Sequence, residues 1–450
     1  MKNTFLKLIM ILLLFSCKKE NDIIQYAISG RVTDSFGNGM EGVQVFYNQN
    51  ESTITDNQGY WEIADLNGQN TITSFANDYA FAPLEIQVIG SSENLIFIGT
   101  RVPNEVETQI FNWFDNQQLS NGLLESAENG NVVSLYDNAL AAMIFMLRDD
   151  FTKAEYIFDF FNARISSELT VGNGGFSQLR NSNGVPNNHR WMGDNAWLLI
   201  ALNNYKDRTG FTTYDNLASE LSNWLMSLQD TDGGLFAGYT SSNSLMAFKV
   251  SEGNIDAFNA IHGYTAFHSQ LLSFLEIDRW DAVDQNLMAW PSNAPYLYAL
   301  DLHPWSYLMF NEYPVSALTT AERFLTTQTA TNGVEITGYC FDEDRDVVWP
   351  EGTGQMALAF DIAGMHSEKE LYLTEMENIL IQSESYWNAA GFPYASNPGS
   401  VYGSDALWAS ADTEIAISGG AWYLFAKYGF NPFAIGRDKI IPLSDMFWIN

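Results

Sequence analysis

The hydrophobic pattern of the chain changes its period near residue 100. Between Tyr26 and Thr100, apolar and polar residues alternate in short runs such as 28–33 and 60–63, and Gly, Asn and Asp separate the runs. Alternation with a period of two is typical of strands that bury one face. The pattern therefore predicts a multidomain chain that begins, over residues 26–100, with a small antiparallel β-sandwich.

From residue 101 to residue 450 the apolar residues recur with the 3.6-residue period of helices. Six segments share a polar or acidic start that leads into small and apolar residues, and the starts are marked by Asp137, Asp194, Asp256, Pro304, Glu351 and Asp412. Successive starts lie 57, 62, 48, 47 and 61 residues apart, which leaves room for two helices and their loops. Amphipathic segments between them, such as 214–228 and 367–381, suit an outer layer. We predict an all-α (α/α)6 toroid over 101–450.

The first sixteen residues follow the plan of a secretory signal peptide, with two lysines followed by an apolar run over residues 8–15. This run is shorter than the ~20 residues that a helix needs to cross a bilayer. The four residues that end at Cys17, LFSC, resemble the lipobox of bacterial lipoproteins. The resemblance implies cleavage after residue 16, lipidation of Cys17, a tether over 17–25 and anchoring in the outer membrane with the protein exposed at the surface.

Composition narrows the classes of partner and chemistry. The net charge is −33, from 54 acidic and 21 basic residues. This charge excludes nucleic acid as a binding partner, because a protein binds phosphates through a basic surface. Beyond Cys17 the chain has only Cys340, so we expect no intramolecular disulfide and no thiolate zinc site. The 13 tryptophans and 21 tyrosines can stack on sugars as well as fill a core.

The predicted β domain contains three segments that resemble the carboxypeptidase regulatory-like fold: SGRVTD over 29–34, GMEGV over 39–43 and TDNQGY over 55–60. In that family the glycines form turns, and the domain carries no catalytic residues. The resemblance implies a spacer or accessory module, with glycan binding as the alternative role.

The predicted helical domain resembles the six-hairpin glycosidase superfamily over residues 108–429. The resemblance rests on DNAW at Asp194, WPEGT at Trp349 and SGGAWY at Ser418, together with the periodic ensemble of helices. It implies that the starts of the inner helices converge at one rim and line a central cleft that binds carbohydrate.

Acidic residues at these starts are the candidates for catalysis. Glu252 precedes Asp256 by four residues, so both carboxylates share one face of a helix that contains them. Such a pair can hold one proton donor and one ionised group, as glycoside hydrolysis requires. We predict that Asp194 and Glu351 complete the catalytic set, with Asp137 and Asp412 ranked behind them. Each acid could instead cap its helix.

Side chains beside the helix starts are predicted to bind the sugar: Trp191, Trp305, Trp349, Trp408, Tyr136, His189 and Arg190. The aromatic members are equally suited to the core. Together with Arg180, His189 and Arg190 could hold a carboxylate or sulfate. We predict no cofactor and no metal, because the acidic segment 342–346, which could bind Ca²⁺, is interpreted as a solvated loop.

The sequence thus predicts a surface-anchored glycoside hydrolase that uses paired carboxylates. Three alternatives remain: a non-catalytic glycan-binding lipoprotein, a polysaccharide lyase, and a sugar epimerase that would use histidines such as His189 or His303. The QDTDGGL segment over 229–235 resembles turns of terpenoid cyclases, which are also α/α toroids. We interpret it as a structural turn, because the cyclase motif with two adjacent aspartates is missing from the sequence.

Overall fold

The computed structural model describes residues 25–48, 51–294, 296–398, 401–402, 405–406 and 414–449. The chain divides into two compact units, Met1–Val102 and Pro103–Asn450. The predicted signal peptide, Cys17, Trp408 and Asp412 lie outside the described residues. In the part of the chain that is described, no helix combines the length and the apolar character that crossing a bilayer would require.

The N-terminal unit is rich in strands, which form two four-stranded sheets with the orders β4-β1-β8-β6 and β3-β2-β5-β7. The strands are β1 (Tyr26–Asp34), β2 (Gln44–Asn48), β3 (Glu51–Ile54), β4 (Tyr60–Leu66), β5 (Asn70–Phe75), β6 (Tyr79–Ala82), β7 (Ile86–Val88) and β8 (Ser92–Arg101). Alternating side chains from both sheets, such as Val32, Phe97 and Val45, share one hydrophobic core.

One strand pair of this unit corrects the predicted antiparallel arrangement. Strands β1 and β8 are parallel, with Val32 opposite Phe97, whereas the neighbouring pairs are antiparallel. A hairpin turn forces neighbouring strands to run antiparallel, but six strands separate β8 from β1 along the chain. Alternation of side chains predicts which face is buried and leaves strand direction open.

The C-terminal unit is mainly helical. Its α-helices are α1 (Glu105–Gln117), α2 (Leu135–Leu147), α3 (Phe151–Asn162), α4 (Met192–Thr209), α5 (Asp215–Ser227), α6 (Ser251–Ala260), α7 (Ala266–Asp278), α8 (Leu302–Met309), α9 (Ser316–Thr320), α10 (Pro350–Ile362), α11 (His366–Glu377), α12 (Ile417–Tyr428) and α13 (Ala434–Arg437).

Six of these helices, which we call the ring helices, contact one another in sequence: α2, α4, α6, α8, α10 and α12. Helix α12 in turn contacts α2, so the ring is closed. In α2 every residue except Tyr136 is buried, and its run of small residues at Ala139, Ala141 and Ala142 lets neighbouring helices approach closely. Helices α3, α5, α7, α9 and α11 each pack on the ring helix before them. The arrangement is consistent with the predicted toroid.

Short strands lie in the loops between the helices. They are β9 (Val133–Ser134), β10 (Leu179–Arg180), β11 (Arg190–Trp191), β12 (Gly238–Tyr239), β13 (Leu245–Met246), β14 (Trp280–Asp281), β15 (Asn286–Leu287), β16 (Leu325–Thr329), β17 (Glu335–Tyr339), β18 (Ile381–Gln382), β19 (Ala390–Pro393), β20 (Val401–Tyr402), β21 (Asp405–Ala406) and β22 (Ile415–Ala416). Each ring helix is preceded in the chain by a loop that contains at least one of these strands. The long loops are therefore connected to the N-terminal ends of the ring helices.

Candidate active site

A cavity of about 350 Å³ lies among the first residues of the ring helices. Asp194 of α4, Glu252 and Asp256 of α6 and Glu351 of α10 all line it. A fifth acid, Asp301, reaches it from the residue before α8. The four predicted catalytic acids, which span 157 residues of the chain (194 to 351), therefore face one space.

None of these acids caps its helix through its side chain. Ser134 caps α2, while the residues at the cap positions of α4, α6 and α10 make no side-chain capping bond. Asp256 lies in the second turn of α6, because that helix begins at Ser251, five residues earlier than the sequence marker. Asp301 occupies the cap position of α8 but makes no capping hydrogen bond. Capping therefore does not account for their placement.

Three of the acids lie near one another, and each carries one buried carboxyl oxygen without a hydrogen-bond partner. They are Glu252, Asp256 and Asp301. Burial raises the pKa of all three, and the charges of Asp301, Glu252 and Asp194 raise that of Asp256 further. Proximity of like charges in a dry space favours the protonated forms, so this group holds protons near neutral pH.

Gly193, in the first turn of α4, lies close to the Asp256 carboxyl and to the Trp191 indole. A Cβ atom at Gly193 would lie 3.3 Å from Oδ2 of Asp256 and 3.3 Å from the indole nitrogen of Trp191. Both contacts are tighter than ordinary van der Waals distances. A side chain at residue 193 would therefore require the Asp256 carboxyl or the Trp191 ring to shift by a few tenths of an ångström.

Glu351 is held by a chain of hydrogen bonds. The Tyr136 hydroxyl donates to Oε1 of Glu351 at 2.5 Å, and the Trp422 indole donates to the Tyr136 oxygen at 2.9 Å. Burial raises the pKa of Glu351 to about 8, and the bond from Tyr136 opposes that rise. Tyr136 thus orients the carboxyl group and favours its ionised form.

Two further acids differ in their relation to the cavity. Asp194 accepts a weak hydrogen bond of 3.4 Å from Gln178, and burial together with the charge of Asp137 raises its pKa to about 7. Asp137 itself is buried beside the Tyr394 hydroxyl at 3.3 Å and is not among the lining residues. Burial raises the Asp137 pKa to about 6.

Aromatic rings form the walls of the cavity. Trp191 and Trp290 line it half-buried, and Phe248 lies between them with ring centroids 5.9 and 6.0 Å away. Trp305 and Trp349 also line the cavity but are buried, so each offers only part of a ring to it. Among the predicted aromatic residues, Trp191 is the best placed to stack on a sugar.

The predicted cationic residues lie elsewhere. Arg190 contacts the Asn243 side chain and the Tyr239 ring, and Arg180 is buried in an ion pair with Glu168. His189 stacks on Trp191 at a centroid distance of 6.3 Å without lining the cavity. The sequence predicts these three side chains as binders of a carboxylate or sulfate on the sugar. The structure does not bring them to the carboxyl groups of the cavity.

Sequence reasoning missed Asp301, Trp290 and Gln178, all of which line the cavity. Asp301 stands three residues before Pro304, the marker of the fourth helix start. An acid directly before a recognised helix start was therefore the available signal for it. Trp290 and Gln178 lie in loops, and no period in the sequence points to them.

The acidic loop that follows β17 gathers around Cys340. The thiol lies 3.7–3.9 Å from carboxyl oxygens of Asp342, Asp344 and Asp346. Burial and the neighbouring charges raise the pKa of Asp342 to about 7. Asp342 is buried, so the interpretation of this segment as a wholly solvated loop is wrong at that residue.

Comparison with known proteins gives similarity in structure alone. No protein-family model matches the chain, and no curated protein matches it. A cellobiose 2-epimerase from Spirochaeta thermophila DSM 6192 superposes with a TM-score of 0.51 at 13% identity, covering 73% of this chain and 94% of that chain. A sugar epimerase from a ruminal bacterium gives 0.51 at 11%, covering 72% and 97%.

A protein described as a novel alpha-amylase from Clostridium perfringens gives a TM-score of 0.50 at 10% identity, covering 73% of this chain and 99% of that chain. Identities this low show a common fold. The fold of the helical part is therefore shared with two sugar epimerases and an alpha-amylase.

Proposed function

We propose that the chain is a glycoside hydrolase whose (α/α)6 toroid acts on an uncharged extracellular glycan. The observation that carries the proposal is the convergence of five carboxyl groups from four ring helices on one aromatic-walled cavity. Glycoside hydrolysis needs a protonated carboxyl group to protonate the leaving oxygen and an ionised one to attack the sugar or activate water. Asp256 and Asp301 have pKa values well above the ordinary range, whereas that of Asp194 is raised only to about 7 and the Tyr136 hydrogen bond opposes the rise at Glu351.

The proton donor is drawn from Asp256 and Asp301. Burial raises the pKa of both, the charge of Asp301 raises that of Asp256 further and the charge of Glu252 raises that of Asp301, so both favour the protonated form. The second carboxyl group is drawn from Asp194 and Glu351, which face the cavity from other helices. The positive charge that develops on the sugar ring in the transition state would stabilise its ionised form.

The charge of the cavity selects against acidic sugars. Among the described lining residues there is no lysine, arginine or histidine, and residues 399–413 contain none in their sequence. The charge of Arg279 acts on Glu252, but this arginine does not line the cavity, so no cationic side chain among the described lining residues could pair with a uronate or sulfate. This disfavours an acidic glycan and a lyase that must neutralise a uronate.

Histidine-based epimerisation is also disfavoured. The chain has five histidines, all in described positions, and none lines the cavity. His303 is buried with its Nδ1 2.8 Å from the Ala317 carbonyl, and burial lowers its pKa to about 4. The fold shared with epimerases therefore does not extend to a histidine in this cavity.

The test measures new reducing ends from neutral polymers (starch, xylan, mannan and mixed-linkage β-glucan) and from the anionic polymers polygalacturonate and alginate. We expect hydrolysis of a neutral polymer. Among Asp194→Asn, Glu252→Gln, Asp256→Asn, Asp301→Asn and Glu351→Gln, we expect at least two variants to lose about 10²- to 10⁴-fold in kcat. Glu276→Gln, at an exposed position on α7, is the control.

Full activity in all five cavity variants would contradict the carboxylate mechanism. Unsaturated products from an anionic polymer would show a lyase instead, and an altered sugar with unchanged chain length would show an epimerase. Binding without any turnover would leave the glycan-binding alternative.

We further propose that the chain is exported and anchored through a lipid on Cys17, with the N-terminal β-sandwich as a spacer of the carboxypeptidase regulatory-like type. The LFSC sequence supports this proposal. Replacing Cys17 with alanine is expected to move the protein from the membrane fraction to the soluble fraction. Retention of the variant in the membrane fraction would refute lipid anchoring at this residue.

A further inference from the structure

One tryptophan stands apart from all others that the structure describes. The structure describes twelve of the 13 tryptophans, all except Trp408. Among these twelve only Trp387 is exposed, with 91% of its surface accessible. It lies in residues 383–389, the loop between β18 and β19. A ring this exposed contributes little to the core, and its face is open for stacking on a ligand.

The loop that carries Trp387 is tied to a buried carboxylate. Glu128 accepts hydrogen bonds from the Ser383 hydroxyl at 2.9 Å, the Ser385 backbone at 3.0 Å and the Trp113 indole at 2.8 Å. The loop is closed at its base by a bond of 2.9 Å from the Ser383 backbone to the Ala389 carbonyl. The ring is therefore presented on a fixed support, which lowers the entropic cost of binding.

Amide and hydroxyl groups lie on residues that neighbour Trp387 in the chain and on residues that contact its loop. The Asn112 amide donates to the Asn388 carbonyl at 2.9 Å, and the Asn129 amide donates to the Ser385 hydroxyl at 3.1 Å. Gln382, at the end of β18, pairs with a second glutamine on α1. A flat ring in a loop whose residues, apart from Glu384, offer uncharged donors and acceptors matches the two surfaces of a sugar, its apolar face and its hydroxyl edge.

Strand β19 connects the loop to residues next to the cavity. It leads to Tyr394, whose hydroxyl contacts Asp137 in the first turn of α2, next to Tyr136. Trp387 and Tyr394 are seven positions apart, so at ~3.3 Å per residue their Cα atoms lie at most about 23 Å apart. A polysaccharide of several sugars can span such a distance.

We propose that Trp387 is a secondary binding platform for the same uncharged polysaccharide whose other part occupies the cavity. This inference rests on the proposed function for its ligand class. The platform takes no part in bond cleavage. It increases the residence of long chains and leaves short oligosaccharides, which cannot reach both places, unaffected.

The experiment compares the full chain with Trp387→Ala and with Phe211→Ala. Phe211 is also exposed, at 58%, but follows the far end of α4. Each protein is run through native gels containing starch, xylan, mannan or mixed-linkage β-glucan, and its dissociation constant is taken from the retardation. Turnover is measured on the parent polymer and on its disaccharide to tetrasaccharide.

For the polymer that retards the parent chain most, we expect Trp387→Ala to bind about tenfold more weakly and Phe211→Ala to bind normally. Turnover of short oligosaccharides should be unchanged in both variants. Equal retardation of Trp387→Ala and the parent overturns the platform, as does a parent chain that none of the four polymers retards. Retardation that depends on Trp387 without any turnover upholds the platform and refutes the hydrolase.

Discussion

At the scale of single residues, burial and helix position act in opposite directions on the acids of the cavity. Glu351 and Asp194 lie in the first turns of α10 and α4, where the partial positive charge of the helix end favours a carboxylate. Their pKa values are nevertheless raised, to about 8 and about 7, because burial outweighs the helix dipole. Small changes in hydrogen bonding should therefore be visible in the pH dependence of activity.

Replacing Tyr136 with phenylalanine removes the hydroxyl that donates to Glu351 at 2.5 Å. We expect the pKa of Glu351 to rise, because that bond favours the ionised form, and kcat/KM to fall about tenfold, since a hydrogen bond to a charged group contributes about 1.5–3 kcal/mol. A pH–rate profile measures both, and the limb assigned to Glu351 should move to higher pH.

Tyr205→Phe is the matched control. The Tyr205 hydroxyl makes an equivalent bond of 2.5 Å to Glu155, on the side of α4 away from the cavity. If both variants give the same pH profile as the parent chain, Tyr136 does not position Glu351.

At the scale of helices, three ring helices begin with the same arrangement. The fourth residues of α2, α4 and α6 are Asn138, Asn195 and Asn254. Each side-chain oxygen accepts from a backbone N–H in the preceding loop at 2.7–2.9 Å. Each side-chain nitrogen donates to the carbonyl four residues earlier at 2.7–2.9 Å. The asparagines thus attach the loops to the helix starts beside the cavity.

Asn195→Ala is expected to destabilise the C-terminal unit by about 2 kcal/mol, because the N–H and carbonyl of Phe176 lose their partner while buried. Thermal unfolding measures the loss, and kcat should fall because Asp194 is the adjacent residue. Asn216→Ala, at an exposed position on α5, should leave both quantities unchanged. Equal melting temperatures for the two variants would contradict this role of Asn195.

At the scale of the whole molecule, the buried acids couple stability to pH. Their pKa values in the folded state lie above the ordinary values of 3.8 and 4.5. Between about pH 4 and pH 8 these carboxyl groups therefore bind more protons in the folded chain than in the unfolded chain. Their contribution to stability decreases as the pH rises through this window, whereas His268 and His303, whose pKa burial lowers to about 4, act in the opposite direction below about pH 6.5. Five of the raised acids line the cavity, where the proposed mechanism would use their protons, while Asp137 and Asp342 lie outside it.

Asp194→Asn and Glu351→Gln should weaken this dependence, since an amide resembles the protonated acid at every pH. Relative to the parent chain, we expect the free energy of unfolding to rise by about 1 kcal/mol at pH 5 and by about 4 kcal/mol at pH 8, because each pKa is raised by about three units and one unit corresponds to about 1.4 kcal/mol. The control is again Glu276→Gln, which should parallel the parent chain. Loss of stability at pH 8 in both cavity variants would show that the carboxylates are stabilising as ions.

The sequence by itself determined the division into a strand-rich and a helical part and the approximate start of most ring helices. This was possible because the spacing of apolar residues within one helix or strand depends only on which face of that element is buried. It also picked out Asp194, Glu252, Asp256 and Glu351, because acids before apolar helices stand out in such a pattern. Their assignment to catalysis stays a prediction.

Only the tertiary structure decided which of those side chains meet. It placed Asp301 with the acids, put Arg180, Arg190 and His189 outside the cavity, made β1 and β8 parallel, and left Trp387 exposed. Each of these features depends on segments far apart in the chain approaching within a few ångströms. The spacing of apolar residues describes one segment at a time. The distances between segments are set only when the chain folds and the ring helices pack against one another.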